Sequence, residues 1–253
     1  MKGIVWSLFW ILFATTLCSA QTTLYFPQIA DGRSGGFGWV TAIAITNPAP
    51  LGSATASVTL SFNQDDGTAL NLPLTDLAGQ PVSVSAGSFG FQISGGQTRL
   101  YVSTGLASSI TTGFATITSN LPVVGAVVFF EFTDAGARVA EAGVAAAAPL
   151  TQQATIVSKN NQDTGVAVAN PGTQTGTVTF LLLDTNGASL FPAVTRSLAG
   201  KNHTAFFVSQ LFPNLPNGFF GTLRITSSIP IVTTSLLFEN DGKFATLPVF
   251  AFQ

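Results

Sequence analysis

The chain has 253 residues and a formal net charge of −2, and only 8% of its residues are charged. No basic stripe is present, which argues against nucleic acid as a partner, because phosphate backbones are bound by clustered lysine and arginine. A chain of this length is sufficient for two modest domains, each with its own core.

The first twenty residues have the features of a secretory signal peptide. Lys2 provides the positive start, Ile4–Leu17 form an apolar run, and Cys18-Ser19-Ala20 provides small residues for cleavage. The run is shorter than the ~20 residues needed to cross a bilayer. We therefore predict cleavage after Ala20, a mature chain without a transmembrane segment, and a secreted, extracellular or periplasmic location.

The cysteine and histidine counts limit the chemistry of the mature chain. Cys18 is the only cysteine and His203 the only histidine. Without disulfides, an exported fold must be held by burial alone. Zinc normally requires three or four nitrogen, sulfur or carboxylate ligands, so we predict no zinc site and no cofactor.

Several segments recur in the same order along the chain. The pairs are Ile43–Pro48 with Val166–Pro171, Ser57–Leu70 with Thr177–Leu190, Ile117–Glu131 with Ile225–Glu239, and Arg138–Val144 with Lys243–Val249. Most of these segments alternate apolar and polar residues, which is typical of half-buried strands. In 57–70, this alternation places Val58, Leu60 and Phe62 inward. In 124–131, it places Val128 and Phe130 on the inward face and Val127 and Glu131 on the other. The Asn-Pro pairs at 47–48 and 170–171 are turn signals that end strands, and Pro230 is predicted to break the chain.

The repeated strands and their turn signals define the predicted fold. Seven or so short strands per copy, separated by turns every 8–12 residues, are typical of immunoglobulin-like sandwiches. We therefore predict an all-β protein of two tandem immunoglobulin-like β-sandwich domains, related by internal duplication. The predicted domains are residues 21–148 and 149–253, after the signal peptide at 1–20.

A set of short motifs resembles a family of secreted bacterial proteins with two immunoglobulin-like repeats. The motifs are Leu24–Gly32, Thr46–Pro48, Glu141–Val144, Asp163–Pro171 and Thr246–Val249. The resemblance covers nearly the whole mature chain and implies the two-repeat fold, but it carries over no catalytic residue. In that family an Asn-His pair precedes an Arg-Phe pair, whereas this chain keeps Asn202 and His203 and has Phe206 at the arginine position.

Ser34 and His203 are the two residues on which a hydrolase could be based. Residues 32–36 match the Gly-x-Ser-x-Gly pattern, which requires a strand before the serine and a helix after it. Here the pattern lies in a glycine-rich segment before a strand, so a flexible connection is the favoured interpretation. For His203 we favour a polar side chain near one end of a sandwich over a catalytic or metal-binding role.

Carboxylates raise two further possibilities, a glycosidase pair and a calcium site. Glu131 and Glu239 occupy the same position in different copies, so we predict two separate, solvated strand ends rather than one catalytic pair. Asp65–Gly67, Asp184–Gly187 and Asn240–Gly242 lack the ligand spacing of a calcium loop. They suit tight turns, which we predict at all three, leaving one weak calcium site as the alternative.

These observations favour a non-catalytic, secreted or cell-surface module with a structural, adhesive or binding role. Trp39, Arg33 and His203 are the candidate binding surface. The expected partners are other surface proteins, further copies joined through edge strands, or polysaccharide. The alternatives are an outer-membrane β-barrel, based on the alternation and hydrophobicity, and a secreted hydrolase.

Overall fold

The computed structural model describes residues 21–252, which form antiparallel strands with one short helix. The predicted all-β sandwich fold is therefore confirmed. The predicted signal peptide lies outside the described residues. Within them, no helix has the length and apolar character needed to cross a bilayer.

Ten strands form the first hydrogen-bonded unit, which we call unit 1. They are β1 (Thr22–Ser34), β2 (Phe37–Thr46), β3 (Ala56–Gln64), β4 (Leu74–Asp76), β5 (Pro81–Val82), β6 (Ser88–Ile93), β7 (Thr98–Ser103), β8 (Thr111–Ser119), β9 (Val124–Thr133) and β10 (Arg138–Ala145). One sheet has the order β1–β8–β3–β6, and the other has the order β5–β4–β7–β2–β9–β10. Strand β1 links the sheets, since its end pairs with β2.

The core of unit 1 lies between these two sheets. Ile43 from β2 packs in the same buried cluster as Leu60 from β3 and Ile117 from β8. The inward positions predicted for β3 are confirmed, because the buried side chains alternate along it. Period-two alternation therefore marks the core correctly where one face of the strand is clearly polar.

Strand β9 is an exception, and its predicted face is wrong. Its buried positions are Val127, Phe129 and Glu131, whereas Val128 and Phe130 are only partly buried. Both faces of β9 carry apolar residues, so the alternation alone does not decide which face is inward. Packing against strands distant in sequence decides it.

The second unit, unit 2, has eight strands and the helix. They are β11 (Leu150–Lys159), β12 (Gln162–Ala169), β13 (Gly176–Asp184), β14 (Val194–Leu198), β15 (His203–Phe207), α1 (Val208–Leu211), β16 (Phe219–Glu239), β17 (Phe244–Leu247) and β18 (Val249–Ala251). Strand β16 pairs with β11 and β13 through its first half and with β12 and β17 through its second. Pro230 lies near this change of partners and does not interrupt the strand.

The same strand pairings occur in both units. The pairs β1–β8, β3–β8, β2–β9, β2–β7 and β9–β10 correspond to β11–β16, β13–β16, β12–β16, β12–β15 and β16–β17. Gly113 and Gly221 occupy matching positions, where an added Cβ would lie 2.0 Å and 2.1 Å from a carbonyl oxygen of the neighbouring strand. The predicted domain boundary at 148/149 stays a prediction.

Candidate functional site

Aromatic rings join the two units. Trp39 on β2 stacks against Phe244 on β17, with ring centroids 5.0 Å apart and planes inclined by 19°. Phe238 on β16 has its ring centroid 6.2 Å from that of Trp39 and 5.1 Å from that of Phe207. Phe244 and Leu236 are also buried within the unit 1 core cluster. Trp39 is therefore a contact between the units.

A cavity of about 360 Å³ lies beside these rings, between the two units. Unit 1 lines it from β1, β2, β8 and β9, and unit 2 lines it from β12, β15, β16 and α1. Its apolar lining residues include Trp39, Phe129, Val166, Phe207 and Phe238, and none of the lining residues is charged. The site is therefore suited to an uncharged, largely apolar group.

Gln28 is one of the few polar residues that line the cavity. It follows Pro27, which has no N–H to offer a sheet, and both lie in the irregular step between Phe26 and Ile29 where the β1–β8 register shifts. The Gln28 Oε1 atom is buried and has no hydrogen-bond partner among the described residues. A buried acceptor without a partner is costly, so a ligand that donates to it would be favoured.

Three further polar residues line the cavity: Thr112, Gln210 and Thr234. Gln210 on α1 accepts a hydrogen bond at its Oε1 from the Phe207 N–H, at 2.9 Å. Thr112 on β8 donates its hydroxyl to the Asp65 carboxylate, at 2.9 and 2.8 Å from the two oxygens. Thr112 thus connects the cavity wall to a polar contact that holds the units together.

That contact centres on His203, whose position the sequence analysis did not anticipate. The residue is 3% exposed, and its Nδ1 lies 2.7 Å from Asp65 Oδ1 of the other unit. The His203 backbone N–H also donates to the Asp65 carbonyl oxygen at 3.1 Å, while Nε2 is buried and has no partner within residues 21–252. His203 is therefore part of the interface between the units.

Asp65 is the interface residue that the sequence analysis missed. Burial raises the pKa of its carboxyl, but the hydrogen bonds from His203 and Thr112 outweigh this and leave the pKa below its ordinary value. One signal for it was available, because the matching turn in the second copy has Thr185 at this position. A charge present in only one copy indicates a contact made by that copy alone.

Arg33 and Ser34 lie at the tip of the β1–β2 hairpin, where the chain connects two strands and no helix follows the serine. Ser34 pairs with Phe37 across a two-residue turn, so the segment belongs to the strands. The Arg33 Nε donates to the Gly105 carbonyl at 3.1 Å, and its guanidinium lies 3.6 Å from the Asp134 carboxylate. The structure places Ser34 in an exposed hairpin and His203 in the buried interface.

The two glutamates differ in exposure, so the paired prediction of solvated strand ends is only half right. Glu239 is exposed, whereas Glu131 is 9% exposed, and burial raises its pKa. One Glu131 oxygen lies 3.8 Å from the position of a Cβ added to Gly242 in the other unit. Glu131 is buried because the 240–242 turn of unit 2 packs against this end of β9.

The three predicted turns are confirmed. Residues 65–67, 185–187 and 240–242 are turns between strands, and their aspartates accept hydrogen bonds from nearby backbone N–H groups. Within residues 21–252, no group of three or more histidine, cysteine, aspartate or glutamate side chains could hold a metal ion.

A second cleft, of about 830 Å³, opens within unit 1 alone. The rings of Phe89, Phe91 and Tyr101 meet in it, with centroids 4.9 to 5.4 Å apart. Asp76 and Arg99 also line this cleft. Unlike the cavity between the units, this cleft has charged lining residues and borders the edge strand β6.

Comparison with known proteins gives little guidance on function. No protein-family model and no curated protein matches the chain. One solved structure with some likeness is the isomalto-dextranase of Arthrobacter globiformis T6 complexed with panose, at 11% identity and a TM-score of 0.27. The alignment covers 81% of this chain and 35% of that one. A likeness of this size carries no argument about activity.

Proposed function

We propose that this protein is a non-catalytic, secreted or cell-surface binding module that holds its ligand between two β-sandwiches. The observation that carries the proposal is the uncharged, aromatic cavity between the units. Ligand sites occur preferentially at such boundaries, where two rigid walls meet and a few polar groups orient the ligand. The cavity lining includes no histidine, carboxylate, cysteine or lysine to act as an acid, base or metal ligand.

The composition supports an external location. The predicted signal peptide at 1–20 would export the chain, and the low charge content suits a protein that packs against other surface material. Membership of the family of secreted two-repeat proteins belongs to the same proposal. Polysaccharide, other surface proteins and further copies of this chain are the partners to test.

The test is a sedimentation assay with washed bacterial cells and with insoluble polysaccharides. We expect saturable pelleting of the wild-type chain, without release of soluble sugar or peptide from the pellet. Ala205→Phe introduces a large ring at an exposed position that lines the cavity and should abolish pelleting. Ala251→Phe makes the same change at an exposed position on β18, away from the cavity, and should bind like the wild type.

Two results would overturn the proposal. One is the absence of saturable binding to every surface, polymer and second copy tested. The other is release of soluble product by the wild-type chain, which would identify an enzyme. Equal pelleting of both variants would overturn the placement of the ligand in the cavity and would put the surface contact elsewhere.

A further inference from the structure

We propose that the cavity binds an uncharged, mostly apolar molecule of one or two rings that carries one hydroxyl or N–H donor. This inference deepens the proposed function by naming a ligand class for the same site. It depends on three observations: the lining carries no charge, its walls are aromatic, and one lining residue, Gln28, has a side-chain Oε1 without a partner among the described residues.

The lack of charge excludes ionic ligands. No lining residue is aspartate, glutamate, lysine, arginine or histidine, so an ion in the cavity would lose its hydration without gaining an opposite charge. The Asp65 carboxylate is close to one wall through Thr112, but it already accepts hydrogen bonds from Thr112 and His203. It would also repel an anion and so adds to the exclusion of acidic ligands.

The walls and size favour a flat ring over a long chain. Trp39, Phe207 and Phe238 line the cavity, and Gly165 lies beside them, where an added Cβ would lie only 2.8 Å from the Phe238 ring. Aromatic rings pack well against such faces at centroid distances of 4.5–7 Å. A volume of about 360 Å³ lies at the lower end of the range of ligand pockets, which suits one or two rings.

The buried acceptor defines the polar end of the ligand. Gln28 Oε1 has no partner among the described residues, and it belongs to a residue that lines the cavity. An acceptor of this kind can be satisfied only by a donor, which a phenol, an indole or an aromatic amine provides. Because the register shift at Pro27 and Gln28 positions this side chain, the feature is built into β1.

The test uses two probes with the same ring skeleton. 1-Naphthylamine has two rings, is uncharged at neutral pH and carries one amino donor group, whereas 5-amino-1-naphthalenesulfonate adds a sulfonate. We expect saturable fluorescence enhancement with the first probe and at least about tenfold weaker binding of the second, since a buried unpaired charge is costly. Ala205→Phe should abolish the signal, and Ala251→Phe should keep it.

A second variant tests the donor. Gln28→Leu removes the acceptor while keeping a similar volume. In competition with the naphthylamine probe, this variant should bind 1-naphthol about three- to tenfold more weakly than the wild type does, as expected for one lost hydrogen bond. Its affinity for naphthalene, which has no donor, should be unchanged. Equal effects on both competitors would overturn the assigned role of Gln28.

The outcomes separate this inference from the proposed function. The ligand class is overturned if the neutral probe does not bind or if the sulfonate binds more tightly. Neither result affects the surface pelleting that tests the proposed function. Probe binding that Ala205→Phe leaves unchanged would also overturn the ligand class, because the probe would then sit elsewhere. Probe binding without any surface pelleting would leave the ligand class standing and remove the surface role.

Discussion

At the scale of single residues, two buried asparagines show how short motifs stabilise the fold. Asn47 donates its amide to the carbonyls of Ala54 and Ile93, both at 3.0 Å. Asn170, at the matching position in unit 2, donates to the carbonyls of Leu198, Ala199 and Gln174. Each thereby holds together carbonyl groups from separate segments at or near the ends of strands.

We predict that Asn170→Ala lowers the free energy of unfolding by about 2 kcal/mol, because it leaves buried carbonyl groups without donors. Urea denaturation of the purified chain measures it. Asn240→Ala changes an exposed turn residue and should cost less than about 0.5 kcal/mol. Equal costs for both variants would show that the buried hydrogen bonds contribute nothing specific.

The sequence indicated these asparagines only as turn signals before proline. Their partners lie elsewhere in the chain, and the folded sheets bring them within reach. The same limit applies to Gln28, since the cavity that it lines is completed by residues of the other unit. A local pattern shows which residues are unusual, whereas the partner is a property of the packed chain.

At the scale of elements, the turn that follows β3 and the matching turn that follows β13 have different environments. The turn at Asp65–Gly67 packs against Lys201 and Asn202 of unit 2, whereas nothing lies within 4 Å of a Cβ added to Gly187. Gly67 and Gly187 both have positive φ, at +84° and +80°, so a side chain would strain both backbones equally. Only the first hairpin belongs to the interface.

This difference gives a matched pair of variants. Gly67→Ala and Gly187→Ala should each lower the free energy of unfolding by about 1 kcal/mol, because an alanine at positive φ strains the backbone. Gly67→Ala should lose about 1–2 kcal/mol more, because its Cβ would lie 2.7 Å from the Asn202 amide. Thermal or urea unfolding measures both costs, and equal values would contradict the tight interface at this turn.

Strand elements could be predicted well where one face is polar and poorly where both faces are covered. Val58, Leu60 and Phe62 alternate with polar residues, and they are buried as predicted. Strand β16 is predicted less well, because its second half is buried on both faces and Pro230 does not break it. Pairing with distant strands decides those positions, and no local period contains that information.

At the scale of the whole molecule, two carboxylates near the interface make opposite contributions to pH-dependent stability. The pKa of Asp65 lies below its ordinary value of 3.8, so its charged form stabilises the folded state. That contribution is present above pH 3.8 and is lost as the pH falls through the folded-state value. Burial raises the pKa of Glu131 above 4.5, so its charged form destabilises the fold once the pH exceeds the raised value.

We therefore predict opposite effects for two neutral substitutions. At pH 7, Asp65→Asn should lower the free energy of unfolding by about 0.5–1 kcal/mol, a modest value because the Asp65 side chain is half exposed. Glu131→Gln should raise it by about 1 kcal/mol, since an uncompensated buried charge is removed. Urea unfolding at about pH 7 and about pH 3 measures both. Both differences should shrink in acid, because Glu131 is then neutral and because below pH 3.8 the Asp65 carboxyl of the unfolded chain takes up a proton. Effects of the same sign, or effects that persist unchanged in acid, would show that the carboxylate charges near this interface do not control how the two units hold together.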